Sequence, residues 1–173
     1  MQRFSFKSKT HRICSLALMT TIALIIFTVE AQIPVPVAIP GLKLGLSNVV
    51  TLFMLRRFQR KDAFIVLLCR ILLGSMFAGQ VMSLAYSLAG GLLAFAAMTV
   101  FLTLSRGENV WFAGVVGAIF HNIGQIIVAI IAFDSKYVAY YFIVLFFCSV
   151  ITGLFTGITA QLAVKYTPKP RHK

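Results

Sequence analysis

Negative charge is almost missing from this chain: 173 residues hold four acidic side chains against 16 Lys and Arg, a formal net charge of +12. The four are Glu30, Asp62, Glu108 and Asp134, and none stands within 25 residues of another. A magnesium-dependent diphosphate enzyme needs clustered carboxylates to hold its metal, and no such cluster is present. A carboxylate proton pump needs an acid inside the membrane, and all four lie at the boundaries of apolar runs. The three histidines, His11, His121 and His172, have no ligand spacing, and the phosphate-binding G-x-x-x-x-G-K-[ST] loop is missing. Cys14, Cys69 and Cys148 are far apart within apolar stretches, forming no C-x-x-C pair and reading as buried thiols. No serine has a base and an orienting group beside it. These absences argue against catalysis by this chain alone and imply no metal and no cofactor.

Apolar sequence is what the chain has in abundance. Hydrophobic residues make up 60% of it and charged ones 12%, about half the roughly 25% of an average soluble domain. Six apolar segments stand out: Ile13–Val29, Leu44–Phe58, Ala63–Ala78, Val81–Leu104, Val110–Phe133 and Tyr137–Val164. A membrane-spanning helix needs about 20 residues, so the second and third are short. Their connection, Arg56 to Asp62, carries four basic groups. A re-entrant hairpin would drag these into lipid, so two short crossings are preferred. The expectation is an all-α integral membrane protein: a bundle of six transmembrane helices over residues 13–164, with basic tails at 1–12 and 165–173.

Orientation follows from the cations. Arg3, Lys7, Lys9 and Arg12 precede the first span, and Arg56, Arg57, Arg60 and Lys61 join the second to the third. Arg106 follows the fourth span, and Lys165, Lys169, Arg171 and Lys173 follow the sixth. All of these fall on one side, and only Lys43 and Lys136 fall on the other, with Arg70 inside a span. The positive-inside rule then places both termini in the cytoplasm of a multi-pass bacterial membrane protein, and the basicity needs no nucleic-acid partner. Val29-Glu30-Ala31 has the look of a signal-peptidase site, but the apolar stretch before it is long for a signal peptide and five more spans follow, so an uncleaved first helix is expected. Trp111 and the trio Tyr137, Tyr140 and Tyr141 sit where interfacial anchors belong.

Small residues recur at helical spacing on three spans: Ser83, Ser87, Gly90, Gly91, Ala94 and Ala97; Gly114, Gly117 and Gly124; Ser149, Gly153 and Gly157. Such faces let helices approach closely in lipid. Polar groups within the spans are costly and therefore informative. Asn48, Arg70, Gln80, Tyr86, His121, Asn122 and Gln125 collect in the middle and outer half, with Lys43 and Tyr140 at the outer rim. Arg70 lies about 12 Å up its helix at 1.5 Å per residue. The proline-containing stretch from Gln32 to Gly41 is placed to cover them. An outward-facing pocket for a small polar or anionic ligand is expected, with Arg70 and Lys43 supplying positive charge and His121, Asn122 and Gln125 hydrogen bonds. The competing reading gives each of these residues a structural task.

Several stretches resemble one bacterial family: Pro40-Gly41-Leu42-Lys43-Leu44-Gly45-Leu46-Ser47-Asn48-Val49-Val50-Thr51-Leu52, Leu68-Cys69-Arg70-Ile71-Leu72-Leu73-Gly74-Ser75, Tyr86-Ser87-Leu88-Ala89-Gly90-Gly91, His121-Asn122-Ile123-Gly124-Gln125 and Thr152-Gly153-Leu154-Phe155-Thr156-Gly157. It is the family called Gx transporter or heptaprenyl diphosphate synthase component I, and it is similar to the substrate-binding (S) subunits of energy-coupling-factor (ECF) transporters. The resemblance implies six helices, an outward-facing ligand site covered by the loop after the first helix, and a separate coupling protein with a pair of ATPases as energy source. Those subunits commonly present an Ala-x-x-x-Ala face on the first helix, where this chain has Ala17-Leu18-Met19-Thr20-Thr21. The enzyme name implies instead a noncatalytic membrane subunit supporting isoprenoid synthesis beside a catalytic prenyl synthase.

Overall fold

The computed structural model describes residues 4, 6, 8–33, 43–78, 81–134 and 136–168. They form six α-helices in an up-and-down bundle: α1 (Lys9–Glu30), α2 (Asn48–Arg57), α3 (Arg60–Ala78), α4 (Val81–Leu104), α5 (Val110–Phe133) and α6 (Tyr141–Tyr166), with a 3₁₀ turn at Lys136–Tyr140 before α6. There is no strand among the described residues. Four helices, α1, α4, α5 and α6, are long and apolar enough to cross a membrane, which makes this a membrane-embedded multi-pass protein.

The bundle is apolar outside and partly polar inside, the arrangement lipid requires. Phe77, Val81 and Leu104 point outward, while Arg70, His121, Asn122 and Gln125 are buried. In water that distribution would cost both the exposed apolar area and the burial of polar groups.

α4 and α5 have the boundaries expected from their apolar runs. α1 begins four residues earlier than its run, because Ser8 caps it by accepting the His11 N–H at 3.1 Å. α3 begins at Arg60 and carries Asp62 in its first turn, where a carboxylate suits the positive end of the helix. Arg12 of α1 pairs with that carboxylate at 2.5 Å. The largest departure is α2. The run Leu44–Phe58 forms a helix only over Asn48–Arg57, ten residues, or about 15 Å against a hydrocarbon core of about 30 Å. Lys43–Ser47 stays irregular because its backbone N–H groups are bonded elsewhere, as described below.

Packing follows the small-residue faces. α5 runs antiparallel to both α4 and α6 and packs most closely on them. A Cβ on Gly153 would come within 2.6 Å of the Val115 Cα, and one on Gly157 would overlap the Trp111 backbone, so glycine sets the α5–α6 separation. α1 lies along α3, with Arg12 beside Asp62 and Phe27 against Gly74. Two apolar clusters result. One contains Leu52, Met54, Leu55, Ala94, Met98, Val110 and Ala113; the other contains Tyr86, Ile126, Ala129, Val138 and Leu145. Along α4 and α5 the stretch between them carries Gly90, His121 and Gln125.

Candidate functional site

The cluster is built around the segment that leads into α2. Gly45 has φ +81°, a conformation glycine accepts without strain. A Cβ there would lie 2.9 Å from both Asn48 Nδ2 and His121 Cδ2, so the site needs glycine for space as well. The turn aims backbone N–H groups at Glu30, the last residue of α1. Gly45 N–H donates to Glu30 Oε1, and Ser47 N–H donates to Oε2 at 3.3 Å. Arg70 of α3 donates to the Ser47 hydroxyl.

Lys43 closes the other side. Its Nζ donates to Ser83 Oγ of α4 at 3.1 Å and stands 3.4 Å from the centroid of the Phe27 ring, a cation–π geometry. The Arg70 guanidinium carbon is 5.9 Å from the same centroid. Burial pushes the Lys43 ammonium down to about 8, with Glu30 pulling it back up and Arg70 lowering it further.

α5 supplies the third wall. Lys43 N–H donates to Gln125 Oε1 at 3.3 Å, which turns the Gln125 amide nitrogen toward His121 Nε2 at 2.9 Å. An amide nitrogen only donates, so His121 accepts at Nε2 and carries its proton on Nδ1. That Nδ1–H has no partner among the described residues, and neither do Arg70 Nε and Nη2 or the side-chain amide of Asn48. Arg70 is 2% exposed, so these groups face no bulk water. The unspent capacity of the cluster is mostly donor, and it surrounds two cations and one carboxylate. A site of this kind suits a ligand rich in acceptors.

Of the expected site residues, Lys43, Asn48, Arg70, His121 and Gln125 come together. Asn122 does not join them: it faces α6 and donates to Leu145 O at 3.2 Å and Ser149 Oγ at 2.7 Å, a link between helices. Tyr86 packs in the apolar cluster with Ile126 and Leu145. Tyr140 is 71% exposed with its ring stacked on Tyr137, because the 3₁₀ turn carries it outward from the bundle. Gln80 and residues 34–41 of the covering stretch lie outside the described residues.

The residue that sequence reasoning missed is Glu30. Its place in the sequence is a span boundary, yet it is buried at the centre of the cluster. Its signal was the charge imbalance: two cations inside apolar surroundings call for an anion, and Glu30 is the acid nearest Lys43 in sequence. Phe27 has no sequence pattern that marks it, whereas Ser83 was read only as part of a small-residue face and Ser47 only as part of a family-like stretch.

An apolar groove of about 450 Å³ runs between α1, α2 and α6 past Ile22, Ile26, Phe53 and Ala163, and no charged residue lines it. Among the described residues no group of three or more His, Cys, Asp or Glu could hold a metal ion.

Comparison with known proteins gives one match. The family model described as heptaprenyl diphosphate synthase component I covers residues 19–163. No curated protein and no solved structure matches the chain. The matched span takes in the whole Lys43–Gln125 cluster and most of the six helices. The chain belongs to the heptaprenyl diphosphate synthase component I family.

Proposed function

We propose that the chain is the noncatalytic membrane component of a heptaprenyl diphosphate synthase system, working beside a separate catalytic prenyl synthase subunit. The family match over residues 19–163 carries this reading. The scattered carboxylates agree with it, since metal-dependent diphosphate chemistry would then fall to the partner. Six crossings of the bacterial cytoplasmic membrane, with both termini inside, complete the arrangement.

In this arrangement the Lys43–Arg70–His121–Gln125 cluster, with Asn48, binds a small polar or anionic ligand in the outer half of the bundle. A second reading draws its support from that cluster: a substrate-binding subunit of an ECF-type uptake transporter, energised by a transmembrane coupling protein and two ATPases. Two buried cations beside the segment after the first helix suit such a subunit.

Co-purification from native membranes in mild detergent, followed by mass spectrometry of bound proteins, separates the two. Recovery of a polyprenyl synthase catalytic subunit is the expected result. Recovery of two ATPases and a coupling protein in its place would overturn the synthase reading and establish uptake.

A further inference from the structure

The entry into α2 is an anion seat. With Gly45 at φ +81°, the N–H groups of Gly45 and Ser47 converge on one carboxylate. Concave arrangements of successive backbone N–H groups bind anions. α2 adds the positive end of a ten-residue helix, and its N-cap Ser47 makes no side-chain cap bond. Beside it the buried Arg70 keeps Nε and Nη2 without partners among the described residues, in a planar fork that matches carboxylate and phosphate oxygens.

The seat is filled from within the chain. Glu30 ends α1, where the helix's own negative pole opposes a carboxylate. What holds it is the ring of donors from the next element, not its own helix. α1 is also lightly tied among the described residues: it packs along α3, touches α2 slightly, and does not pack on α4, α5 or α6.

We infer that Glu30 occupies this seat in place of a ligand, and that the ligand is an oxyanion, a carboxylate or phosphate, which displaces Glu30 and frees the end of α1. The inference rests on the ligand-binding reading of the cluster and adds to it a ligand class and a means of coupling binding to helix movement. The exchange conserves what the donors need. Gly45 N–H, Ser47 N–H and Arg70 trade one oxyanion for another, while Glu30 moves toward the end of the bundle that Lys43–Ser47 lines.

The test uses the full chain in phosphatidylcholine nanodiscs, titrated calorimetrically with acetate, inorganic phosphate and diphosphate, for wild type, Glu30→Gln and Glu30→Asp. Hydrogen exchange of the Gly45 and Ser47 amides is followed in parallel. Glu30→Gln, which removes the competing charge, is expected to bind at least one of the three anions tenfold or more tighter than wild type, with Glu30→Asp between them. In Glu30→Gln the two amides are expected to exchange faster than in wild type and to regain protection when the anion is added. Equal affinity and equal protection in wild type and Glu30→Gln would overturn the displacement while leaving the ligand-binding reading in place. Folded protein that binds none of the three anions, in any variant, would overturn the oxyanion class and the inference with it. Should Glu30→Gln fail to fold, Glu30→Asp against wild type decides the same question, because its shortened side chain loosens the contact without removing the charge.

Discussion

At the basic end of the bundle the arginines are spent on neighbouring helix ends, whereas in the opposite half Arg70 is held in reserve. Arg56 donates to the Gly107 carbonyl in the α4–α5 turn at 3.0 Å, and Arg57 closes α6 by donating to the carbonyls of Val164 and Thr167. Arg60 reaches the Thr103 hydroxyl at 2.7 Å. These contacts fasten the α2–α3 connection to the ends of α4 and α6, where carbonyls lack partners within their own helix. Arg57 makes both bonds through Nη2, and its buried Nε has no partner among the described residues. Arg70, fully enclosed, bonds the Ser47 hydroxyl, and its Nε and Nη2 have no partner among the described residues. The same side chain therefore serves as a structural staple in one region and as the centre of an under-filled polar cluster in the other. Buried groups without partners destabilise a fold.

Substitutions at the two ends sharpen that contrast. Arg70→Ala has the largest expected effect. It removes one of two cations facing Glu30, and breaking such a buried arrangement costs about 3–5 kcal/mol. Thermal unfolding in detergent should show the loss, and binding of an anionic ligand should fall a hundredfold or more. Gly153→Leu comes next, because its side chain would force apart the α5 and α6 backbones. A loss of about 1–3 kcal/mol is expected, visible in the same unfolding assay, with the site itself preserved.

Lys43 makes the cluster pH-sensitive. Burial lowers its ammonium to about 8, so the charge is present below that value and is lost as pH rises through it. Anion affinity should therefore fall above pH 8, by less than about tenfold (under 1.4 kcal/mol). Lys43→Met should bind more weakly and show no such step. Titrations between pH 6.5 and 9 measure both.

The smaller effects separate structure from site. Asn122→Ala loses two hydrogen bonds to α6 and should cost about 1 kcal/mol while leaving ligand affinity unchanged. Arg60→Ala, at an exposed contact, should change stability by no more than about 0.5 kcal/mol. A ligand-binding defect in Asn122→Ala would show that the cluster extends to α6.

The helices were legible in the sequence because lipid imposes long apolar runs. α4 and α5 match theirs end to end, and the small-residue faces of α4, α5 and α6 are buried except at Ala97. α2 was misjudged because apolar content alone cannot reveal that Gly45 turns the chain and that Glu30 takes its N–H groups. Charge and polarity in an apolar context singled out Lys43, Arg70, His121 and Gln125, which the fold brings into one cluster. The same rule also singled out Asn122, whose hydrogen bonds go to a neighbouring helix, and Tyr140, which the 3₁₀ turn leaves exposed. Glu30 escaped because its depth depends on how the segment after α1 folds back, a tertiary fact that no local pattern carries.

The most direct test of the central claim, that the Lys43–Arg70–His121–Gln125 cluster is a ligand site and not packing, is native mass spectrometry of wild type, Arg70→Lys and Asn122→Ala released from native membranes. Arg70→Lys keeps the charge but loses the planar fork. The account predicts a small-molecule adduct on wild type and Asn122→Ala that is lost or sharply reduced on Arg70→Lys. An adduct of equal occupancy on all three proteins, or none on any, would contradict it.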